Sequence, residues 1–326
     1  MSMTRRMAGS VVLVTPRSFG HEDPELRVEL AAAVGEVRYN ERGRPLTAVE
    51  LRAALRDVDG LLAGLDDIDA TVFAAAPRLR VVARYGVGTS NVDLRAATAR
   101  GVVVTNTPGA NAEAVAELTI GFIFALARGL GRADRAVCAG AWPAVRGGEV
   151  AGKTVGLVGL GRIGASVARR AVALGCRVVA HDPYADAGDA ARLGVRLVPL
   201  EEAVAAADFL SLHLPATAET RDLVDRDLLG RMRAGAYLIN TARGELVVED
   251  DLLWALEHGH LGGAALDTLR VEPPPTDHPL LRRDDVLVTP HMGAHTAEAA
   301  RAMGRLALRD LLAVLAGRPP HHPVIV

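Results

Sequence analysis

Residues 154–164 read Thr-Val-Gly-Leu-Val-Gly-Leu-Gly-Arg-Ile-Gly, an apolar run that leads directly into three glycines spaced Gly-x-Gly-x-x-Gly. The apolar run predicts a buried strand, and residues 165–174 predict a helix that begins after the third glycine. A second predicted strand, residues 177–180, is followed by Asp182, 18 residues beyond Gly164. A strand, a glycine turn, a helix and a later acid in this order are typical of a dinucleotide-binding unit on a parallel sheet.

Each residue of this motif has a predicted task. Gly159 allows the tight turn, Gly161 lets the backbone approach the pyrophosphate at the helix N-terminus, and Gly164 lets the helix pack closely on the strand. Asp182 would accept hydrogen bonds from the adenine ribose hydroxyls and would repel a 2′-phosphate. No arginine follows Asp182 within several residues. We therefore predict NAD, and not NADP, as the cofactor.

Strands and helices alternate on both sides of this motif, which predicts parallel α/β structure throughout. Before it, a long apolar helix is predicted over residues 110–128, followed by an irregular stretch rich in Gly and Arg, residues 129–152. After it the alternation continues to about residue 288, and a last helix covers residues 296–317. Four short predicted strands precede the long helix, at residues 11–15, 60–63, 81–83 and 102–105. The predicted fold class is α/β, with two doubly wound parallel sheets.

The composition excludes several classes of protein. The 326 residues carry a net charge of −2 and only 3% are aromatic, so neither nucleic acid nor an acidic membrane is an expected partner. The run 11–14 is better explained as a buried strand than as a signal peptide, and the longest other apolar run, residues 118–127, is too short to span a bilayer. Cys138 and Cys176 have neither metal-ligand nor disulfide-framework spacing, so we expect no metal and a reducing, cytoplasmic location.

Three more predicted strands lead into side chains that carry chemistry. The strand at residues 237–240 precedes Arg243, the one ending near residue 267 precedes Glu272, and the one at residues 286–288 precedes His291. Ligands bind at the carboxyl ends of strands in open α/β sheets, so these three residues can form one site. Hydride transfer to a 2-oxo acid needs a cation for the carboxylate, which Arg supplies, and a proton donor, which a His oriented by a carboxylate supplies. Each residue alone has a commoner explanation: a solvated loop charge for Arg243, a turn for Glu272 and a structural imidazole for His291.

The chain as a whole resembles the D-isomer-specific 2-hydroxyacid dehydrogenases, most closely their phosphoglycerate dehydrogenase branch. The resemblance extends over nearly the entire chain. It depends on eight segments, at residues 84–93, 106–109, 115–117, 159–164, 240–244, 263–267, 272–273 and 289–296.

The resemblance implies a role for each matching position. Arg243 resembles the arginine that binds the substrate carboxylate, His291 the general acid/base, and Glu272 its partner carboxylate. Positions similar to the family's cofactor contacts are Gly159, Gly161, Arg162, Ile163, Gly164, Asp182, His213, Leu214, Pro215, Thr241, Ala242, Asp267, Gly293 and Ala294. Positions similar to its substrate contacts, besides Arg243 and His291, are Arg84, Tyr85, Val87 and Gly88.

The resemblance also implies a domain arrangement. A discontinuous substrate domain, residues 1–107 plus 292–326, would carry an inserted NAD-binding Rossmann domain, residues 108–291. Both would be Rossmann-like or flavodoxin-like doubly wound sheets with a cleft between them. Family members are usually homodimers through the cofactor domain, which here would use the helix from Ala110 and the arm after Gly129. The chain resembles the short form, without a regulatory domain.

The expected function is NAD-dependent oxidation or reduction between a D-2-hydroxyacid and its 2-oxo acid. The substrate is a small anionic acid, expected to carry a second anionic group such as phosphate or phosphonate. Arg84 is the candidate for binding the second anionic group, and the alternative is that it forms a structural ion pair. Gly64 or Leu65 stands where many phosphoglycerate dehydrogenases carry another arginine. Thr268-Leu269 replaces the common Val-Phe and is expected to change a pocket wall.

Two other functions stay open at this point. One is a glyoxylate/hydroxypyruvate reductase, whose small substrate needs no second cation. The other is an NAD-sensing binding protein similar to the corepressors that share this fold. The sequence leaves the individual substrate, the physiological direction and the pathway open.

Overall fold

The computed structural model describes residues 7–325. The chain divides into two compact units, one formed by Met1–Asn111 with His295–Val326 and the other by Ala112–Ala294. Both divisions fall a few residues later than the boundaries expected from the sequence. The first unit is therefore discontinuous and the second is inserted in it.

The first unit is built on a five-stranded sheet in which every paired strand is parallel. The strand order is β2-β1-β3-β4-β5, which is the flavodoxin-like arrangement. Its elements up to the end of the sheet are β1 (Val11–Val14), α1 (Glu25–Ala33), β2 (Glu36–Tyr39), α2 (Ala48–Ala54), β3 (Gly60–Ala63), α3 (Ala70–Ala75), β4 (Val81–Arg84), α4 (Leu94–Ala99) and β5 (Val103–Thr105). Strands β3 and β4 are buried along their whole length, as expected for apolar runs covered by helices on both faces.

The second unit is built on seven parallel strands. Their order is β12-β11-β10-β9-β6-β7-β8, so the strand order reverses between β6 and β9, as in dinucleotide-binding sheets. The elements are α5 (Ala112–Arg128), α6 (Leu130–Cys138), β6 (Thr154–Val158), α7 (Arg162–Ala173), β7 (Arg177–His181), α8 (Ala187–Arg192), β8 (Val195–Leu197), α9 (Leu200–Ala206), β9 (Phe209–Leu212), α10 (Arg226–Arg231), β10 (Tyr237–Asn240), α11 (Glu249–Glu257), β11 (Gly263–Leu266) and β12 (Val286–Val288). The predicted fold class, α/β with two parallel sheets, is confirmed.

Successive residues of a strand point to opposite faces of a sheet. In the second sheet both faces are buried, so neighbouring residues of one strand pack in two different cores. Leu238 packs in the core on one face of the sheet, and its neighbour Ile239 packs in the core on the other. This two-sided burial holds the strands firmly. The loops at their carboxyl ends are therefore held on a rigid support.

The last helix, α12 (Ala297–Leu315), belongs to the first unit. Its N-cap Thr296 accepts a hydrogen bond from the Ala299 N–H at 3.1 Å, and Leu311 packs in the same core as Leu62 of β3. Among residues 7–325, no single helix is long and apolar enough to cross a membrane. The bent pair α5 and α6, 65° apart, meets the length and composition criteria only when the two helices are taken together.

Two elements differ from the sequence-based expectation. The stretch 129–152, expected to be irregular, begins with helix α6, none of whose residues is buried. Strand β2 was not predicted, since its sequence Glu-Val-Arg-Tyr at the sheet edge has charged residues and lacks the apolar run of a central strand.

Candidate active site

Three loops at one edge of the second sheet carry the predicted catalytic side chains. Arg243 follows β10, Glu272 follows β11, and His291 follows β12. These strands are direct neighbours and run parallel, so their carboxyl ends lie at the same edge. Topology alone therefore brings together three residues that are far apart in the sequence.

His291 and Glu272 form a hydrogen-bonded pair. His291 Nδ1 lies 2.7 Å from Glu272 Oε2, and the Leu269 N–H donates to Glu272 Oε1 at 3.0 Å. Burial raises the pKa of the Glu272 carboxyl, but the hydrogen bond and charge of His291 and the Leu269 N–H more than offset it, so the pKa lies below its ordinary value. Glu272 is therefore ionised at neutral pH. With Nδ1 committed to this carboxylate, Nε2 is the imidazole nitrogen that can exchange a proton with a ligand.

The backbone of His291 adopts a left-handed conformation, with φ of 53°. Such a conformation costs a residue with a side chain roughly 1–3 kcal/mol and persists only where the surroundings hold it. Here the His291 N–H donates to the Asp267 carbonyl at 2.9 Å. The Asp267 carboxylate accepts hydrogen bonds from the Thr289 hydroxyl at 2.6 Å and from the Met292 and Gly293 N–H groups at 2.8 Å each.

Asp267 therefore holds the turn that presents the imidazole. The residue is only 2% exposed, and its two carboxylate oxygens accept three hydrogen bonds within the protein. Sequence reasoning assigned it to the cofactor and missed this role, because the donors lie more than twenty residues further along the chain. Its contact with the nicotinamide side of the cofactor stays a prediction.

Arg243 is held at the end of β10 by its own neighbours. Its guanidinium donates to the Ala242 carbonyl at 2.7 Å, and the Asn240 side chain donates to the Arg243 carbonyl at 2.8 Å. Burial lowers the pKa of the Arg243 guanidinium, while the charges of Glu245 and Glu272 act in the opposite direction. Arg243 remains a cation at neutral pH. It supplies positive charge beside the Glu272–His291 pair, suited to a carboxylate ligand.

The glycine motif lies at the point where the strand order reverses. A Cβ on Gly159 would lie 2.5 Å from the His213 carbonyl oxygen, and one on Gly164 would overlap the Gly159 carbonyl. A Cβ on Gly161 would meet no described atom within 4 Å. Gly159 and Gly164 are thus required by close packing within the protein, whereas Gly161 borders open space.

That open space lies in front of helix α7. Gly161 is the N-cap of α7 and supplies no side-chain hydrogen bond, so the first-turn amides are left for a ligand. Arg162 is exposed and Ile163 is half-buried in that first turn. An uncapped helix N-terminus with room beside it suits a pyrophosphate, so these residues fit NAD.

Asp182 links the end of β7 to the glycine turn. Its Oδ2 accepts a hydrogen bond from the Leu160 N–H at 2.7 Å, and its Oδ1 accepts one from the Tyr184 N–H at 2.9 Å. A carboxylate has about four acceptor positions, so capacity remains for the ribose hydroxyls. Asp182 therefore shapes the turn in addition to the cofactor role predicted for it.

The loop after β9 packs against this turn. Burial lowers the pKa of His213 to about 3, so its imidazole is neutral at neutral pH. Its Nε2 lies 2.9 Å from the Ser211 hydroxyl. Leu214 is half-buried and Pro215 is exposed. The neutral state of His213 was not predicted, because it follows from burial and not from the sequence pattern.

The remaining predicted cofactor positions are only partly accessible. Thr241 is 7% exposed, and its hydroxyl lies 3.1 Å from that of Thr119 in α5. Gly293 is buried, and a Cβ there would lie 2.9 Å from the Asp267 carboxylate. Ala242 and Ala294 are half-buried.

In the first unit, the predicted substrate residues begin with Arg84, the last residue of β4, and continue into the loop after it. Arg84 is 4% exposed, and its guanidinium donates to three carbonyls, those of Gly88 at 2.9 Å, Ala63 at 3.1 Å and Gly64. It therefore ties the end of β3 to the loop that contains Gly88. These bonds to backbone carbonyls give Arg84 a structural role, and its contact with a substrate anion stays a prediction.

The rest of that loop is also fixed by hydrogen bonds. The Tyr85 hydroxyl donates to the Ala300 carbonyl of α12 at 2.9 Å. The Asn106 side chain donates to the Val87 carbonyl at 2.7 Å. Asn106 belongs to a segment that carries the resemblance, yet no role had been predicted for it.

The Thr268-Leu269 pair, which replaces the family's common Val-Phe, lies inside the second unit. Thr268 is 3% exposed and Leu269 is 6% exposed. Leu269 packs in the same hydrophobic core as Leu246 and Leu280. At Leu269 the departure from the common Val-Phe therefore alters this core, and its expected effect on a pocket wall stays a prediction.

Comparison with known proteins matches this chain to a family. Residues 120–293 match the sequence model described as D-isomer specific 2-hydroxyacid dehydrogenase, NAD binding domain. A D-3-phosphoglycerate dehydrogenase from Mycobacterium leprae is 45% identical over 271 residues, covering 82% of this chain and 51% of its own. A glyoxylate reductase from Korarchaeum cryptofilum is 41% identical over 273 residues, covering 82% of each chain.

A solved structure shows the same similarity in three dimensions. The crystal structure of the TT0316 protein from Thermus thermophilus has a TM-score of 0.86 at 40% identity, and the match covers 97% of this chain and 100% of that one. The chain spans about half the length of the mycobacterial relatives it matches.

Proposed function

This chain belongs to the D-isomer-specific 2-hydroxyacid dehydrogenase family, and we propose that it transfers a hydride between NAD and C2 of a D-2-hydroxyacid or its 2-oxo acid. The observation that carries the proposal is the 2.7 Å pair of His291 Nδ1 and Glu272 Oε2 beside the Arg243 cation. NAD, when bound, supplies or accepts the hydride.

The protein's own residues handle the carboxylate and the proton. Arg243 binds the substrate carboxylate and polarises the C2 carbonyl. In the reducing direction His291 gives its Nε2 proton to the developing alkoxide, and in the oxidising direction the neutral imidazole takes the hydroxyl proton. Glu272 stabilises the imidazolium and fixes the ring. The helix α7 N-terminus, with Arg162 and Ile163, would hold the pyrophosphate.

Cofactor choice depends on Asp182. Its charge repels a 2′-phosphate, so we expect kcat/KM to be higher with NADH than with NADPH. Asp182→Ala should narrow that preference and weaken NADH binding too, because the Leu160 and Tyr184 N–H groups lose their acceptor. Steady-state kinetics with both cofactors measure this, with the exposed Asp189→Ala as control. Equal or better kcat/KM with NADPH in the unchanged protein would contradict the assignment.

Two substrate classes suit this chemistry. The first is an acid with a second anionic group, phosphate or phosphonate, which the mycobacterial D-3-phosphoglycerate dehydrogenases support. The second is a small 2-oxo acid such as glyoxylate or hydroxypyruvate. The buried guanidinium of Arg84, bonded to three carbonyls, favours the second. We further propose that Tyr85, Val87 and Gly88 contact the substrate.

Arg84→Ala separates the two classes. We expect kcat/KM to fall roughly ten- to a hundredfold on phosphorylated and unphosphorylated 2-oxo acids alike, because the loop that Arg84 holds loses hydrogen bonds from a charged group. NADH absorbance with both types of acid measures this, and Arg95→Ala removes an exposed arginine from the same unit as control. A rise in KM confined to phosphorylated substrates would instead assign Arg84 to the second anion.

Assembly and location are part of the proposal. Trp142 is 90% exposed, Leu130 is 54% exposed and Val137 is 47% exposed, all in or after α6. Exposed apolar side chains of this kind support a homodimer through the NAD-binding unit. Sedimentation of the protein measures its oligomeric state, and a monomer at assay concentration would contradict the homodimer.

The free, exposed thiol of Cys138 fits a reducing cytoplasm.

The first experiment is a panel of 2-oxo acids and D-2-hydroxyacids, with and without phosphate, followed by NADH absorbance. Turnover of at least one acid is expected. NADH binding without turnover of any acid would instead favour the NAD-sensing binding protein, which can retain the same residues.

A further inference from the structure

We propose that Glu249 is a positioning residue for the loop that carries Glu272, an inference that rests on the proposed function. Glu249 is the first residue of α11 and lies outside the Arg243–Glu272–His291 group. Its side chain is 18% exposed, and both of its carboxylate oxygens have partners on the connection between β11 and β12.

One of these partners is the backbone beside Glu272. Glu249 Oε1 accepts a hydrogen bond from the Arg270 N–H at 2.7 Å. The preceding N–H, that of Leu269, donates to Glu272 itself at 3.0 Å. Two neighbouring amides of the loop are therefore held by two carboxylates, one of them catalytic and the other on a rigid helix.

The second partner lies further along the same connection. Glu249 Oε2 is 3.2 Å from Nε2 of His278, whose side chain is 18% exposed. Among residues 7–325, the His278 Nδ1 atom is buried and has no hydrogen-bond partner, so Glu249 is the group that holds this ring. A single carboxylate thus fastens the connection at residue 270 and again at residue 278.

The side chain of Arg270 strengthens the first attachment. Its guanidinium donates to the Val247 carbonyl at 2.8 Å and to the Asp222 carboxylate. The Arg270 backbone nevertheless depends on Glu249, because without that carboxylate its N–H would be left unpaired or would turn toward water. A turn of residue 270 displaces Glu272, two residues away, from the imidazole.

The test compares Glu249→Ala with Glu249→Gln, and uses Asp250→Ala as control. The Gln side chain keeps an oxygen for the Arg270 N–H, whereas Ala removes it. Asp250 is an exposed acid in the same first turn of α11. We expect Glu249→Ala to lower kcat roughly ten- to a hundredfold while the KM for NADH changes less than about twofold. Glu249→Gln and Asp250→Ala should stay within about threefold of the unchanged protein.

Two readouts distinguish positioning from general destabilisation. NMR titration of the His291 imidazole, made without cofactor, is expected to move to lower pH in Glu249→Ala, in the same direction as expected for Glu272→Gln. In addition, Glu249→Ala should lower kcat little further when Glu272→Gln is already present, because the carboxylate it positions is gone.

The outcomes separate this inference from the function it rests on. Absence of turnover in the unchanged protein would overturn the function, while the NMR titration would still test the positioning. An unchanged titration in Glu249→Ala would overturn the positioning role, and so would additive losses in the double variant. Equal losses in Glu249→Gln and Glu249→Ala would show that charge, and not the hydrogen bond to residue 270, is responsible, and would overturn it too.

Discussion

Replacing His291 by alanine is expected to lower kcat by roughly 100- to 10,000-fold, the usual contribution of a positioned proton donor. The alkoxide formed by hydride transfer would then have to take its proton from water. The affinity for NADH should change little, because the glycine turn and the α7 N-terminus are built from other residues. Stopped-flow or steady-state absorbance measures kcat, and quenching of NADH fluorescence measures cofactor binding.

His258→Ala is the matched control, since it removes an exposed imidazole from the same unit. Near-normal turnover in His291→Ala would show that another group moves the proton and that the proposed mechanism is wrong. A loss of NADH binding as large as the loss of kcat would show instead that the variant disturbs the whole unit.

Glu272→Gln tests the same pair through pH. A neutral partner no longer stabilises the imidazolium, so protonation of His291 should require a lower pH. The acid limb of the oxidation profile and the alkaline limb of the reduction profile should both move to lower pH. An unchanged profile would mean that the 2.7 Å contact of Glu272 with His291 does not govern the proton step.

The sequence predicted those parts of the molecule that depend on the pattern of neighbouring residues. Buried strands β3, β4 and β6 are short apolar runs, and each was predicted to within a few residues. The Gly159–Gly164 turn is recognisable because a strand, a helix and an acid surround it. The nearness of Arg243, Glu272 and His291 followed from a general rule about parallel sheets, and the order of β10, β11 and β12 supplies its physical basis.

The parts that were missed depend on partners distant in sequence. The substrate role of Arg84 stays a prediction, and nothing in the sequence indicated that its guanidinium also donates to carbonyls that only the folded chain places around it. The carboxylate of Asp267 holds the His291 turn through donors that follow β12. Leu269 packs in a hydrophobic core, a role that its functional neighbours in sequence do not indicate. No local pattern distinguishes these cases.

Gly244→Ala is the second change from which we expect a large effect. Gly244 is buried directly after Arg243, and a Cβ there would overlap the backbone carbonyl group of Leu269 and the Arg270 nitrogen. Backbone on both sides leaves no flexible side chain that could give way. The two loops must therefore separate, one carrying Arg243 and the other Glu272, and misplacement of about 1 Å at such groups can cost on the order of 100-fold in rate.

We accordingly expect kcat/KM to fall about 100-fold or more in Gly244→Ala, together with a loss of stability of roughly 1–3 kcal/mol from overpacking. Thermal unfolding and steady-state kinetics on one sample measure both. Gly230→Ala is the matched control, because a Cβ there meets no described atom within 4 Å and lies in helix α10, where alanine is favoured. Near-normal kcat/KM in Gly244→Ala would show that the loop of Glu272 can move without loss of rate, and would remove the geometric basis for the roles of Glu272 and Glu249 alike.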